Sequence, residues 1–207
     1  MKIGIIQASS QKTKNSIIEK CVKEVVDLNK NEVINFGVFE NGNFECTYVE
    51  TAFAISALLE SKAVDFIITG CSSGQGMMLA CNSLPGIMCG YIENPSDDYL
   101  FGRINNGNAV SYPLGLGFGW AGKINLKSTL KALFEEPFGT GYPKEDADRK
   151  KKDTLKLKEL SNLSKRKLVD ILPVVDKEWI ASLKQRKNVY NYIVENSSVP
   201  ELVDLLK

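Results

Sequence analysis

The chain has 207 residues, with 26 Lys and Arg against 25 Asp and Glu, and it contains no His. That length can bury a sizeable core in one domain with an appendage. The balanced charge provides no global basic field, so neither nucleic acid nor a membrane surface is an expected partner and any acidic ligand must be held by local groups.

The opening stretch, "MKIGIIQASS", carries too short an apolar run for a signal peptide, and no segment approaches the roughly 18 apolar residues needed to cross a bilayer. A cytoplasmic protein is expected. Short apolar runs then alternate with helical patterns: "KIGIIQ" before 13–28, "EVINFG" before 47–62, "VDFIIT" before 76–82, "GIMCGY" before 96–104 and "NAVSYP" before 121–135. Such alternation predicts a parallel five-stranded sheet with helices on both faces, a Rossmann-like α/β three-layer sandwich. Beyond Gly141 the charged stretch "YPKEDADRKKKD" opens a C-terminal extension of short amphipathic helices. Ser164 and Asp176 read as N-caps, Pro173 as a break and Pro200 as a first helical residue. The expected division is a domain over 1–145 and a helical extension over 146–207. The charge run 144–152 reads as a solvated helix face.

Ligands of such folds bind beyond the carboxyl ends of the strands, where the chain places "QASSQ", "GCSSGQG" and "LGLGFGW". "TGCSSGQGMM" (69–78) puts Cys71 at the mouth of a glycine-rich turn that leads into a helix. It lacks the Lys of a phosphate-binding P-loop, and the first turn lacks the GxGxxG of a dinucleotide site. Met77 stands where a cysteine phosphatase needs Arg. Five cysteines with no CxxC pair and no His exclude an obvious zinc site or disulfide framework, so no cofactor is expected. What survives is a thiol beside a nest of backbone N–H groups at a helix N-terminus, where an anion, thiolate or enediolate, is favoured. Packing of a buried Cys in a tight turn is the other reading. Cys81 and Cys89 read as core, and "GLGFGW" as a close-packed turn anchored by Trp120.

The block "VDFIITGCSSGQGMMLACNSLPGI" resembles the ribose-5-phosphate isomerase B and galactose-6-phosphate isomerase (RpiB/LacA/LacB) family in its strand, its CGTGxGM-type loop and the helix and strand that follow. "MKIGII", "YVETA" (48–52), "NNGN" (105–108) and "FGTG" (138–141) are weaker matches to that family. The resemblance implies a sugar aldose–ketose isomerase working through an enediolate. It implies Cys71 as the proton-shuttling base, Ser73 at the hydroxyl position, the amides of Ser72, Gly74, Gln75 and Gly76 as the oxyanion cradle, and Asn105 as an active-site asparagine. It also implies a homodimer, or dimer of dimers, with sites shared between subunits.

The chain departs from that family where Ala8 and Ser9 replace Asp-His, Ile104 replaces the ring-opening His and Tyr142 replaces a phosphate-gripping Arg. A similar pattern, with the same long extension, belongs to relatives that act on 4-deoxy-5-hexosulose uronate, which carries a carboxylate and needs neither missing device. An acidic keto sugar is therefore the expected substrate, with Ser9, Ser10 and Arg103 as candidate carboxylate contacts and Arg149 as a residue that could reach a partner's site. A sugar phosphate is the alternative substrate. The loss of the His leaves a non-catalytic sugar-binding subunit as the alternative of another class.

Overall fold

A computed structural model describes residues 1–207. Strands β1 (Lys2–Ile6), β2 (Glu32–Gly37), β3 (Phe66–Cys71), β4 (Cys89–Tyr91) and β5 (Ala109–Pro113) form one sheet in the order β2-β1-β3-β5-β4. Every pairing is parallel. The central strands run as unbroken apolar stretches because helices cover both of their faces. One face packs on α1 (Asn15–Val25) and α5 (Gly122–Phe134) through Ile3, Ile5, Phe66, Ile68 and Val110. The other packs on α2 (Tyr48–Glu60) and α3 (Gln75–Asn82) through Ile6, Ile67, Cys71, Cys89 and Ala109. The winding of the strand order reverses between β1 and β3, and the Ala8 N–H donates to the Gly70 carbonyl at 3.2 Å across that point.

Two boundaries differ from the sequence reading. The fourth strand starts at Cys89, not Gly86, because Gly86 turns at φ +73° and the Met88 N–H is taken by the Asn108 side chain at 2.8 Å before the ladder begins. The following helix, α4 (Pro95–Leu100), widens into a π turn over Phe101–Asn105 and stops at Asn106, where φ is +47°.

The C-terminal extension folds as α6 (Ala147–Ser164), α7 (Leu168–Ile171), α8 (Lys177–Gln185), α9 (Lys187–Asn196) and α10 (Pro200–Leu206). Ser164 is not an N-cap: it is the last residue of α6, an 18-residue helix longer than the short helices expected, and its hydroxyl donates back to the Ser161 carbonyl. Asp176 does cap α8, accepting from the Glu178 N–H at 3.0 Å, and Pro200 opens α10. The 144–152 charge run is solvated, with Arg149 paired to Asp146 and Asp153. Leu168, Leu183, Val189, Ile193, Leu202 and Leu206 join the same apolar cluster as α2 and the sheet. Helix α2 is thus enclosed between sheet and extension, which is why Thr51 to Leu59 are all buried and why it is apolar on every side. No helix is long and apolar enough to cross a membrane.

A polar cluster is buried where α4 meets β5 and the end of α5. The Tyr112 hydroxyl donates to the Asp98 carboxylate, whose second oxygen has no partner, and burial pushes the Asp98 carboxyl up to about 8. Arg103 is 1% exposed; it donates to the Leu133 carbonyl at 2.7 Å and lies 5.4 Å from the ring centroids of both Tyr99 and Phe138. Its charge sits at the C-terminal end of α5, where exposed carbonyls favour a cation.

Replacing Ile193 with Ala is expected to cost about 3 kcal/mol, as for a large-to-small change at a fully buried site. Urea denaturation checks it, and a loss under about 1 kcal/mol contradicts the role given to the extension. Folded Asp98 keeps, up to about pH 8, a proton that the unfolded chain releases near pH 4. Its contribution to stability is therefore full below about pH 4 and falls with rising pH, by about 1.4 kcal/mol per unit, until about pH 8. Asp98→Asn is expected to remove that slope; identical pH profiles of stability for the two proteins contradict it.

Candidate active site

Cys71 ends β3 with its thiol 8% exposed, on the face of the sheet that carries α2 and α3. The backbone after it is pinned to the segment after β5: Leu114 N–H donates to the Cys71 carbonyl at 3.0 Å, and the Gly115 and Leu116 N–H groups donate to the Ser72 carbonyl at 3.0 and 2.7 Å. Gly74 then turns at φ +75°. A Cβ there would lie 2.8 Å from the Tyr112 carbonyl carbon and from the Tyr91 ring, so only glycine fits both the angle and the space. Its carbonyl accepts from the Ser111 hydroxyl at 2.7 Å and from the Met78 N–H at 3.1 Å, which starts α3. The first N–H groups of α3 are left without helical partners and face the mouth of the turn.

The predicted loop residues sit together around this turn. Ser72 is exposed; its hydroxyl accepts from Gln11 Nε2 at 2.9 Å and lies 3.4 Å from the Ser10 hydroxyl, so the loop after β1 meets the loop after β3. Ser73 and Gly76 are half-buried and Gln75 is exposed. Ser9 is differently occupied. Its hydroxyl accepts from the Cys46 N–H at 2.6 Å and reaches the Cys46 thiol at 3.6 Å, which ties two loops together.

Arg103 is a correction to the sequence reading. Held by the Leu133 carbonyl and two aromatic rings, its guanidinium is buried at the end of α5 and is not presented to a ligand at the Cys71 turn. Asn105 is exposed and makes no hydrogen bond to the Cys71 turn; it lines a cavity of about 550 Å³ with Cys89, Tyr91, Asp97 and Leu157 of α6. Trp120 anchors nothing: it is 97% exposed, and it is Phe118 that packs inward against Gly122 and beneath the Lys14 ammonium. Cys81 and Cys89 are buried as read, and the Cys81 thiol together with burial pushes the Cys89 thiol up.

Three groups at the site escaped the sequence reading. Gln11, buried, positions Ser72. Tyr48, first residue of α2, lays its ring 3.5 Å from where a Gly76 Cβ would be, and its signal was present in "YVETA". Tyr91 covers Gly74 and donates to Glu93 at 2.5 Å; burial and the Glu93 carboxylate push its hydroxyl up.

The Ribose/Galactose Isomerase family model matches residues 5–151. Among solved structures, a 4-deoxy-L-threo-5-hexosulose-uronate ketol-isomerase complexed with a tartrate is 39% identical at a TM-score of 0.95, covering 100% of this chain and 98% of that one. A ribose-5-phosphate isomerase from Vibrio parahaemolyticus is 34% identical at a TM-score of 0.93, covering 100% and 99%. The type B ribose 5-phosphate isomerase of Trypanosoma cruzi shares the fold at 16% identity and a TM-score of 0.64, over 78% of this chain and 98% of that one. A comparison with curated proteins returns no match. With the family matched over most of the chain and two relatives above 30% identity end to end, this protein belongs to the Ribose/Galactose Isomerase family and is a sugar isomerase.

Proposed function

We propose that this enzyme interconverts the aldose and ketose forms of an acidic keto sugar of the 4-deoxy-5-hexosulose uronate type, with Cys71 as the proton-transferring base. One observation carries the reading: a single thiol ends β3 directly before an unpartnered run of helix N-terminal amides. A base and an anion cradle at adjacent positions match removal of a proton next to a carbonyl and stabilisation of the resulting enediolate. The thiolate takes the proton from the carbon beside the carbonyl, the electron pair moves onto the carbonyl oxygen, and the amides of Ser72 to Gly76 hold the oxygens. The thiol then returns the proton to the former carbonyl carbon, while the proton of the neighbouring hydroxyl passes to the former carbonyl oxygen and leaves the new carbonyl at the neighbouring carbon. Ser73 lies beside this path, at the hydroxyl-bearing position of the loop.

The substrate class rests on what surrounds the cradle. Ala8 is buried and Ser9 is spent on Cys46. The Ile104 carbonyl accepts from Thr154, and Tyr142 packs edge-on against Tyr99. None of these positions offers a ring-opening acid or a phosphate fork, and an open-chain carboxylated sugar requires neither. The relative of 39% identity named for a uronate ketol-isomerase supports the same reading. A homodimer with shared sites is part of the proposal. Asn105 makes no hydrogen bond within the chain to the Cys71 turn and lines a cavity beside α6, and α6 leaves Leu155, Leu160 and Leu163 exposed, a face suited to a second copy. The division into an isomerase domain over 1–145 and an added extension is proposed on the same basis, since the family match ends at residue 151.

Cys71→Ala is expected to abolish turnover, by more than about 100-fold in kcat, while the melting temperature changes little. Activity within about threefold of wild type removes Cys71 from the mechanism. In deuterated water the product is expected to carry solvent deuterium at the carbon next to the carbonyl, read by NMR, because the thiol proton exchanges with solvent before its return; complete retention of substrate hydrogen together with loss of activity in chelator refutes the enediolate route. The kcat/KM for 4-deoxy-5-hexosulose uronate is expected to exceed that for ribose 5-phosphate at least about tenfold, because a phosphate dianion without a bidentate partner loses charge-assisted bonding. The reverse ratio assigns the enzyme to sugar phosphates.

A further inference from the structure

Arg186, between α8 and α9, is 4% exposed, and neither terminal nitrogen of its guanidinium has a hydrogen-bond partner. The Phe44 ring covers it, with 5.5 Å from Cζ to the ring centroid, and burial pulls its pKa down. Glu50 acts on it through space but does not pair with it: one Glu50 oxygen is held by the Thr47 N–H and the other by the Ser182 hydroxyl, both at 2.8 Å. A buried guanidinium without a hydrogen-bonded counter-charge is disfavoured, and an apolar side chain of similar volume often packs as well or better in its place. Stability alone therefore gives no reason for an arginine here.

Arg186 also lines a cavity of about 230 Å³ together with Phe36, Val38, Phe44, Gln185, Lys187 and Asn188, its two terminal nitrogens lying buried beneath the Phe44 ring. The Asn188 amide is spent on the Phe36 carbonyl at 2.8 Å, so the donors left to that wall are the two Arg186 nitrogens, the Gln185 amide and the Lys187 ammonium. Two parallel N–H groups in one plane match the two oxygens of a carboxylate. The loop carrying Phe44 leads to Cys46, which exchanges hydrogen bonds with Ser9 in the loop after β1.

We propose that Arg186 and the Phe44 loop form a carboxylate-binding site, contributed by the C-terminal extension beside the Cys71 turn. The carboxylate has two sources: the acidic end of the sugar substrate, in which case the site rests on the isomerase reading above, or a separate small organic acid.

Isothermal titration of wild type, Arg186→Met and Arg186→Lys with sodium tartrate at constant ionic strength tests the site, with sodium phosphate and neutral erythritol as comparison ligands. Wild type is expected to bind tartrate in preference to both. Arg186→Lys is expected to weaken that binding at least tenfold, and Arg186→Met to lose it while melting, without ligand, at the same temperature as wild type or higher. If Arg186→Met does not fold, the Lys variant decides. Tartrate that raises the KM of wild type for the sugar assigns the carboxylate to the substrate; a second binding equivalent that disappears only in the Arg186 variants assigns it to a separate acid. No tartrate binding by wild type, unchanged affinity in the variants, or tighter Arg186-dependent binding of phosphate overturns the proposal. Because binding is read without turnover, an inactive wild type overturns the isomerase reading and leaves this measurement standing.

Discussion

The structure depends on a contact between two stretches of bare backbone. At Gly70 a Cβ would lie 2.5 Å from the Tyr112 carbonyl oxygen, and at Gly74 one would run into Tyr112 and Pro113. With both positions empty of side chain, the turn after β3 lies flat on the end of β5 and gains the Leu114, Gly115 and Leu116 hydrogen bonds. Those bonds hold Cys71 at the rim of the sheet and point the first turn of α3 at the same opening. A thiol and a set of N–H groups thereby come to share one mouth without a metal or charged side chain to organise them. Preorganised dipoles of this kind are effective because they need no rearrangement as charge develops.

Support for that turn comes from outside the sheet. Helix α2 brings Tyr48 to Gly76 and Glu50 to its own capping box, and it keeps that position because α7 to α10 close its outer side. The Phe53–Trp179 contact, with centroids 5.5 Å apart, and the Ser182–Glu50 hydrogen bond fasten α8 to the same end of α2. The extension is therefore a wall of the core at the site's end of the molecule, and Arg186 is carried on that wall.

The sheet and its helices were legible in the sequence because the central strands β1, β3 and β5 are buried on both faces and so read as apolar runs between polar loops. Asp176 and Pro200 were legible for a local reason, since capping depends on neighbours in sequence. The Cys71 turn was legible because its glycines are required by backbone geometry. Arg103 and Ser164 were not. The partner of Arg103 is a carbonyl at the end of another helix, and Ser164 follows an amphipathic stretch that continues one helix where a break was read. Trp120 was misplaced because glycines at 117 and 119, which meet nothing within 4 Å, turn the loop into solvent. Arg186 could not be read at all, since its significance is the absence of a partner, which no linear pattern displays.

The enclosure of α2 has a consequence for how the chain is made. The ribosome delivers the sheet and α2 first and the residues that cover α2 last, from Leu168 to Leu206. Until then Phe53 and its apolar neighbours on α2 have no lid, and the nascent molecule presents a broad sticky flank. Closure of this core thus waits until Leu168 to Leu206 have been made, and a chain stopped before them is prone to association. The extension that carries Arg186 is also what covers the apolar flank of the newborn chain.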